Sequence, residues 1–434
     1  MVTCFPNSVK TEKFLKAGEE RILQGQEDAF VIVDLETIRA QLKRWRNSLP
    51  RVNPWYAIKC HPDEKIMEQL FNGGCGFDAA SIAEMEAALR LGAHPEQIIF
   101  ANPCKQPSHI RFARDVGISK MTFDNVEEMR KIKSLYPDAE LVMRILGDDS
   151  SSLCKFNAKF GLAVEDCLPI LREAKRSGSN IVGVSFHVGS GCRSGQAFVG
   201  ALENARRAFD LLSMVGFHPY VLDLGGGWPG TLLDDKEELE ICFEEIAHCV
   251  SPALNSLFPE NDLLIIAEPG RYFAHAAATS FVNITSKRAV NSPQFLPTSI
   301  EAISSDEDTD LEDHIDNSIE GYRYYVNDGV YGTFNAVICD HRENLSPSYI
   351  LDNFGNEVKF ESLDEPTLVP MYDCSIWGNS CDGIDKISDH VRLPSIPLGF
   401  WLVFKNMGAY TTSAASAGFN GFPIAKKFYV NSEM

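Results

Sequence analysis

A chain of 434 residues with 44% apolar and 23% charged side chains is long enough for two or three domains and has the make-up of a folded protein with a large core. Its formal net charge of −20 argues against a nucleic-acid or anionic-membrane partner, since both require a basic face. Twelve cysteines show neither repeated C-x-x-C pairs nor a His/Cys cluster at zinc spacing, and no apolar leader or apolar run of about 18 residues is present, which predicts a reduced, cytoplasmic protein with free thiols and no metal centre. Residues 1–29 are mostly polar with a helical reading at 12–23, followed by an apolar strand at 30–35 and an amphipathic helix at 36–46 that aligns Ile38, Leu42 and Trp45. A rhythm then starts. Apolar stretches at 55–59, 76–80, 98–103, 121–124, 141–145, 182–189, 221–226 and 264–270 alternate with segments at 63–71, 82–91, 126–135, 167–177, 196–214 and 236–249, each long enough for one crossover helix.

Strict β–α alternation implies parallel strands, and eight units closing on themselves make a (β/α)8 barrel; an open doubly wound sheet is the alternative on the pattern alone. After residue 272 the rhythm changes. Stretches at 280–290, 323–327, 367–377, 400–406 and 426–430 read as strands without comparable helices between them, an antiparallel β-domain that also takes in the strand at 30–35. The expected division is therefore 1–45 joining the sheet, 46–271 as the barrel and 272–434 as the β-domain. Within the last, 292–321 is expected to be an exposed, mostly disordered loop, with nine acidic residues and no Lys or Arg between Glu301 and Glu320.

A barrel of this kind carries its chemistry at the carboxyl ends of its strands, so the residues there matter most. Lys59 ends an apolar run that Pro62 closes; alone, such a lysine is most simply a snorkelling side chain, but a desolvated lysine amine is also the group that forms Schiff bases with carbonyl cofactors. Asp78, Arg144, His187, the triplet Gly225-Gly226-Gly227 and Glu268-Pro269-Gly270-Arg271 fall on other strand ends and converge with it. Adjacent glycines let backbone N–H groups approach an anion, and Gly270 with Arg271 adds a second close approach and a guanidinium, so the last two loops read as a phosphate cradle. A Schiff-base lysine beside a phosphate cradle points to pyridoxal phosphate. Glu268 is placed to hold a proton on the pyridine nitrogen, His187 to stack on the ring, and Ser190 to bond the phosphate.

The motifs Tyr56-Ala57-Ile58-Lys59-Cys60, Lys159-Phe160-Gly161, Phe186-His187-Val188-Gly189-Ser190, Leu224-Gly225-Gly226-Gly227, Glu268-Pro269-Gly270-Arg271-Tyr272, Trp377-Gly378-Asn379-Ser380-Cys381-Asp382-Gly383 and Asn406-Met407-Gly408-Ala409-Tyr410 together resemble the eukaryotic ornithine decarboxylases over nearly the whole chain. The resemblance implies an alanine-racemase-type barrel plus β-domain, pyridoxal 5'-phosphate on Lys59, and a head-to-tail homodimer with shared active sites. It also implies Asp78, Arg144, His187, Ser190, Gly226, Gly227, Glu268, Gly270, Arg271 and Tyr410 around the cofactor, and Cys339, Asp340 and Asp382 around a cationic amino-acid substrate. Cys381 would return a proton to Cα after carbon dioxide leaves, and Lys159 and Asp385 would pair across the dimer. Cys339 stands where the family usually has Tyr, and the chain stops soon after Val430, without the degradation-prone tail of vertebrate members. Antizyme is a further partner that the resemblance suggests, through the basic region 111–133. Decarboxylases of lysine, arginine or diaminopimelate and the non-catalytic antizyme inhibitors are the alternatives; the acids Asp340 and Asp382 suit a terminal ammonium better than a second carboxylate.

Overall fold

The computed structural model describes residues 7–232, 241–291, 319–342, 344–359 and 370–431. The expected loop at 292–321 lies outside these residues up to 318, as do 236–240 of the expected helix at 236–249 and 367–369 of the expected strand at 367–377. After a first helix, α1 (Asn7–Leu23), come β1 (Phe30–Asp34) and α2 (Leu35–Ser48). The chain then runs through β2 (Asn53–Ala57), β3 (Gly76–Ala79), β4 (Ile98–Phe100), β5 (Lys120–Phe123), β6 (Glu140–Leu146), the short β7 (Ser152–Cys154), β8 (Asn180–His187), β9 (Ser190–Cys192), β10 (Val221–Asp223) and β11 (Leu264–Ala267). All of β2 to β11 except the β7–β9 ribbon close into one parallel barrel, sealed where β11 meets β2 through Ile266–Asn53 and Ala267–Pro54. Closure decides for the barrel over an open sheet.

Most barrel strands stop earlier than the apolar pattern suggested. Lys59 lies beyond β2, in the single 3-10 turn Ile58–Cys60, and β10 ends at Asp223 because Gly225 and Gly227 adopt φ of 60° and 104°. The last barrel helix, Phe243–Leu257, runs later than expected, and the helix Pro107–Val116 was not anticipated.

Past Ala277 the chain builds β12 (Ala278–Asn291), β13 (Ile319–Val326), β14 (Tyr349–Leu351), β15 (Met371–Trp377), β16 (Lys386–Pro394), β17 (Trp401–Phe404) and β18 (Lys426–Val430). Their order is β14-β17-β12-β13-β15-β16, with β1 joining β12 to β18, so the amino-terminal strand does enter this sheet. Pairing is mainly antiparallel; β13–β15 and β1–β18 are parallel. No helix among the described residues is long and apolar enough to cross a membrane.

Asp34 links the sheet to the barrel: its carboxylate caps α2, accepting from the Glu36 N–H at 2.9 Å and the Thr37 hydroxyl at 2.8 Å. The buried face of α2 then presents Trp45, which meets Trp228 and Tyr272 edge-on at 5.0 and 5.1 Å and stacks with Phe243 at 5.2 Å. Such ring pairs contribute about 0.5–1.5 kcal/mol each beyond their buried area. Trp228 follows the glycine triplet and Tyr272 follows Arg271, so this cluster supports both loops from below.

A second seam joins the Asn406–Tyr410 segment to the turn carrying Lys59. Tyr410 donates its N–H to the Cys60 carbonyl at 3.1 Å, and His61 Nδ1 bonds the Gly408 carbonyl at 2.7 Å. A Cβ on Gly408 would stand 1.7 Å from the Ala274 carbonyl oxygen. Gly408→Ala must therefore push two backbone segments apart, and thermal denaturation should show a loss of about 1–3 kcal/mol. His61 adds a pH dependence. Burial, with Lys427 nearby, lowers its pKa from 6.5 to about 4. The unfolded imidazole takes a proton near 6.5, so the contribution is whole above that value and is lost as pH falls toward 4, by about 3 kcal/mol at most. Denaturation midpoints at pH 7 and pH 5 should converge in His61→Gln relative to the parent protein.

Candidate active site

Strand alternation explains which side chains gather at the barrel mouth. On β6, β10 and β11, Val142, Val221 and Ile266 belong to an apolar cluster in the barrel interior, whereas Met143, Leu222 and Ile265 pack with the larger core that includes the helices. Two positions further along, Arg144, Asp223 and Glu268 face the same interior at the carboxyl end. Asp78 on β3 and His187 at the end of β8 complete the rim.

Lys59 Nζ donates to Asp78 Oδ2 at 2.5 Å; the lysine side chain is 45% exposed and the aspartate 1%, so the carboxylate is sealed while the lysine can be reached. At the depth of the amine, desolvation opposes its charge, but Asp78, Glu268 and Tyr410 outweigh that and raise the Lys59 pKa. Burial, then neighbouring Asp223 and Asp78, pushes Glu268 far above the usual carboxylate range. His187 is driven the other way by burial, Arg144 and Lys59, and stays neutral. The Gly189 N–H donates to its Nδ1 at 3.0 Å, which leaves the ring proton on Nε2, and Phe156 meets the ring edge-on at 5.0 Å.

The glycine loop has no room for side chains. A Cβ on Gly226 would lie 2.7 Å from His187 Nε2, on Gly227 2.6 Å from the Gly189 carbonyl oxygen, and on Gly270 2.7 Å from Cys60 Cβ. Trp228 Nε1 fixes the loop by donating to the Gly225 carbonyl at 2.9 Å. Beside it, Arg271 forks onto Asp340 (Nη1–Oδ2 2.6 Å, Nη2–Oδ1 2.5 Å) and donates to Ser190 Oγ at 2.9 Å. Its Cζ sits 5.1 Å from the centre of the Tyr410 ring, whose residue holds the rare φ of 53°. Arg271, Ser190 and Tyr410 thus come together. Asp340, assigned to the substrate by resemblance, joins them as the counterion of Arg271, while Cys339 beside it is exposed.

Four expected site residues stay apart from this cluster within one chain. The Cys381 N–H donates to Asn420 Oδ1 at 3.0 Å, and Asp382 accepts from the Tyr331 hydroxyl, so their contacts lie on the sheet side rather than with Lys59. Asp385 is buried, its oxygens taking the Val330 and Ser380 N–H groups at 2.8 and 2.9 Å, and the exposed Lys159 lies 4.9 Å over the Phe160 ring. Asp223 is the residue that the sequence reading missed. Its signal was present: Val221-x-Asp223 repeats the spacing of Val142-x-Arg144 and Ile266-x-Glu268. A cavity of about 560 Å³ is lined by Arg271 together with Gly191, His275 and Asn406 among others, but neither Lys59 nor Glu268 lines it. Convergence of chemistry, rather than volume, marks the barrel mouth as the candidate site.

Comparison with known proteins bears directly on this cluster. Residues 35–275 match the family model "Pyridoxal-dependent decarboxylase, pyridoxal binding domain", and residues 166–408 match "Pyridoxal-dependent decarboxylase, C-terminal sheet domain". Among curated proteins, Antizyme inhibitor 2 of Xenopus laevis is 42% identical over 93% of this chain and 81% of its own length; Ornithine decarboxylase of Mus pahari shows the same three values. Among solved structures, the arginine decarboxylase of Paramecium bursaria Chlorella virus superposes with a TM-score of 0.81 at 28% identity, covering 98% of this chain and 100% of that one. The lysine/ornithine decarboxylase of Vibrio vulnificus, complexed with cadaverine, gives 0.76 at 25% identity, covering 96% and 98%.

Proposed function

The chain belongs to the pyridoxal-dependent decarboxylase family, and we propose that within it the protein is an ornithine decarboxylase, forming putrescine and carbon dioxide in the cytoplasm as a homodimer. The residues at the barrel mouth fit the cofactor. Asp78 Oδ1 and Arg271 Nε are buried without a partner among the described residues, and the space over the glycine loop is one that any Cβ would fill. When bound, pyridoxal phosphate supplies the electron sink that allows the Cα–carboxylate bond to break.

The chain's own residues do the rest in this reading. Lys59 supplies the amine that holds the cofactor aldehyde, with Asp78 and Arg144 setting the charge around it. Glu268 holds a proton at the ring nitrogen, and neutral His187 packs against the ring face. Ser190, Gly226, Gly227, Gly270, Arg271 and Tyr410 grip the phosphate. With Arg271 engaged by the phosphate, Asp340, its counterion here, would be free to hold the distal ammonium of the substrate, where Cys339 would line the pocket. Cys381 and Asp382, held by Asn420 and Tyr331 on their own sheet, are offered to a second copy of the barrel, with Lys159 and Asp385 as a contact between copies. Cys381 then returns a proton to Cα. The division into 1–45, 46–271 and 272–434 belongs to the same proposal.

The observation that carries the reading is the Lys59 amine bound to a sealed Asp78 within the field of Glu268. Carbon dioxide release from ornithine, lysine and arginine, with and without added pyridoxal phosphate, tests it. Ornithine is expected to give the highest kcat/KM; lysine or arginine turned over as well or better would overturn the substrate. The 42% identity to Antizyme inhibitor 2 supports a second reading, a non-catalytic binding protein, which no release from any of the three would favour.

A further inference from the structure

We propose that Asp223 is the positioning partner of Glu268, the two carboxyls sharing one proton at the barrel mouth. Asp223 is 0% exposed, and its Oδ1 accepts from the Gly225 N–H at 2.9 Å. Its Oδ2 is buried and receives no N–H or O–H from the described residues. Asp223 pairs with Ile266 across β10 and β11, so Glu268, two positions further on, falls on the same side of the barrel mouth beside it, and the two carboxyls act on one another. Two carboxylates offer only lone pairs to one another, so neighbouring carboxyls at this depth are reconciled by a proton between them.

The backbone holds the pair in place. Leu224 donates to the Ile266 carbonyl at 2.9 Å, and Glu268 donates to the Gly225 carbonyl at 2.8 Å, which ties the turn after β10 to the turn after β11. Charge balance points the same way. The groups facing the pair are Asp78 from β3, Arg144 from β6 and Lys59 from the turn after β2. Arg144 is shared with the buried Asp124 as well, so two cations stand against four acids, and a proton shared by Asp223 and Glu268 removes part of that excess negative charge. Burial raises the proton affinity of both carboxyls, with repulsion from Asp223 and Asp78 adding to it at Glu268 and repulsion from Asp78 adding to it at Asp223.

This inference rests on the reading of Glu268 as the partner of the cofactor's ring nitrogen. Asp223 orients the Glu268 carboxyl and keeps the proton that the two share from being lost to solvent. Only that proton moves, between the two carboxyl oxygens, and no other bond changes.

Infrared difference spectra of the cofactor-free protein at neutral pH test the pair without reference to activity. Asp223→Asn is isosteric and keeps the oxygen that accepts from Gly225, and Glu268→Gln is its counterpart; circular dichroism checks that both remain folded. The carbonyl stretch of a protonated buried carboxyl is expected in the parent protein and lost in each single variant. A band absent from the parent, or one that survives Asp223→Asn, overturns the pair. In the cofactor-loaded protein, Asp223→Asn is expected to move the pH at which the visible absorbance changes downward by about one unit. A Glu268→Gln protein with the parent's cofactor absorbance would instead overturn the assignment of Glu268, and the positioning role with it, while leaving the infrared result to stand on its own.

Discussion

Lys59→Arg is expected to lower carbon dioxide release by about four orders of magnitude or more while leaving stability nearly unchanged, since removal of a covalent catalyst costs activity on that scale. Arginine keeps a cation over the sealed Asp78, yet its guanidinium does not deprotonate and cannot take the place of the amine. Lys59→Ala should lose the same activity and in addition strand the Asp78 carboxylate, whose Oδ1 already has no partner among the described residues. Comparing the two variants separates chemistry from charge. Denaturation midpoints should fall in the alanine variant only, and visible absorbance from the cofactor should be lost in both. A Lys59→Arg protein that keeps a tenth of the parent rate would remove the amine from the mechanism.

Asp340→Ala is expected to destabilise the cofactor-free protein by about 3–5 kcal/mol, the usual consequence of leaving one member of a buried ion pair without the other. Arg271 and Asp340 are 8% and 2% exposed, and among the described residues the guanidinium's other contacts there are the Ser190 hydroxyl and the Tyr410 ring. The loss should shrink when pyridoxal phosphate, or inorganic phosphate at high concentration, is added, because the anion replaces the missing carboxylate. Urea denaturation with and without phosphate measures both parts. An unaltered midpoint without ligand, or a loss that phosphate leaves untouched, would mean that Arg271 is balanced from elsewhere.

Much of this site was legible before any coordinates because barrel strands are short, apolar and parallel, so a charged residue at the end of one stands out. Lys59, Arg144, His187 and Glu268 were found that way. Asp223 was not, because a glycine triplet follows it almost at once and drew the reading toward the phosphate; only the period-two alternation from Val221 points to its direction. The Arg271–Asp340 pair joins residues 69 positions apart on a barrel loop and on a short helix beside the sheet, a distance over which no local spacing rule operates. β14 and β16 were missed for a different reason. β14 has three residues, and β16 carries exposed charges at Asp389, His390 and Arg392 that break the simple alternation of a half-buried strand. Strand ends were overestimated where glycine turns continue an apolar run, as after Asp223 and Ala267.

Borohydride reduction of the cofactor-loaded protein, followed by peptide mass mapping, is the most direct measurement of all. The pyridoxyl mass is expected on the peptide that contains Lys59 and nowhere else. Its appearance on a different lysine, or on none, would contradict a barrel-mouth amine as the cofactor's anchor.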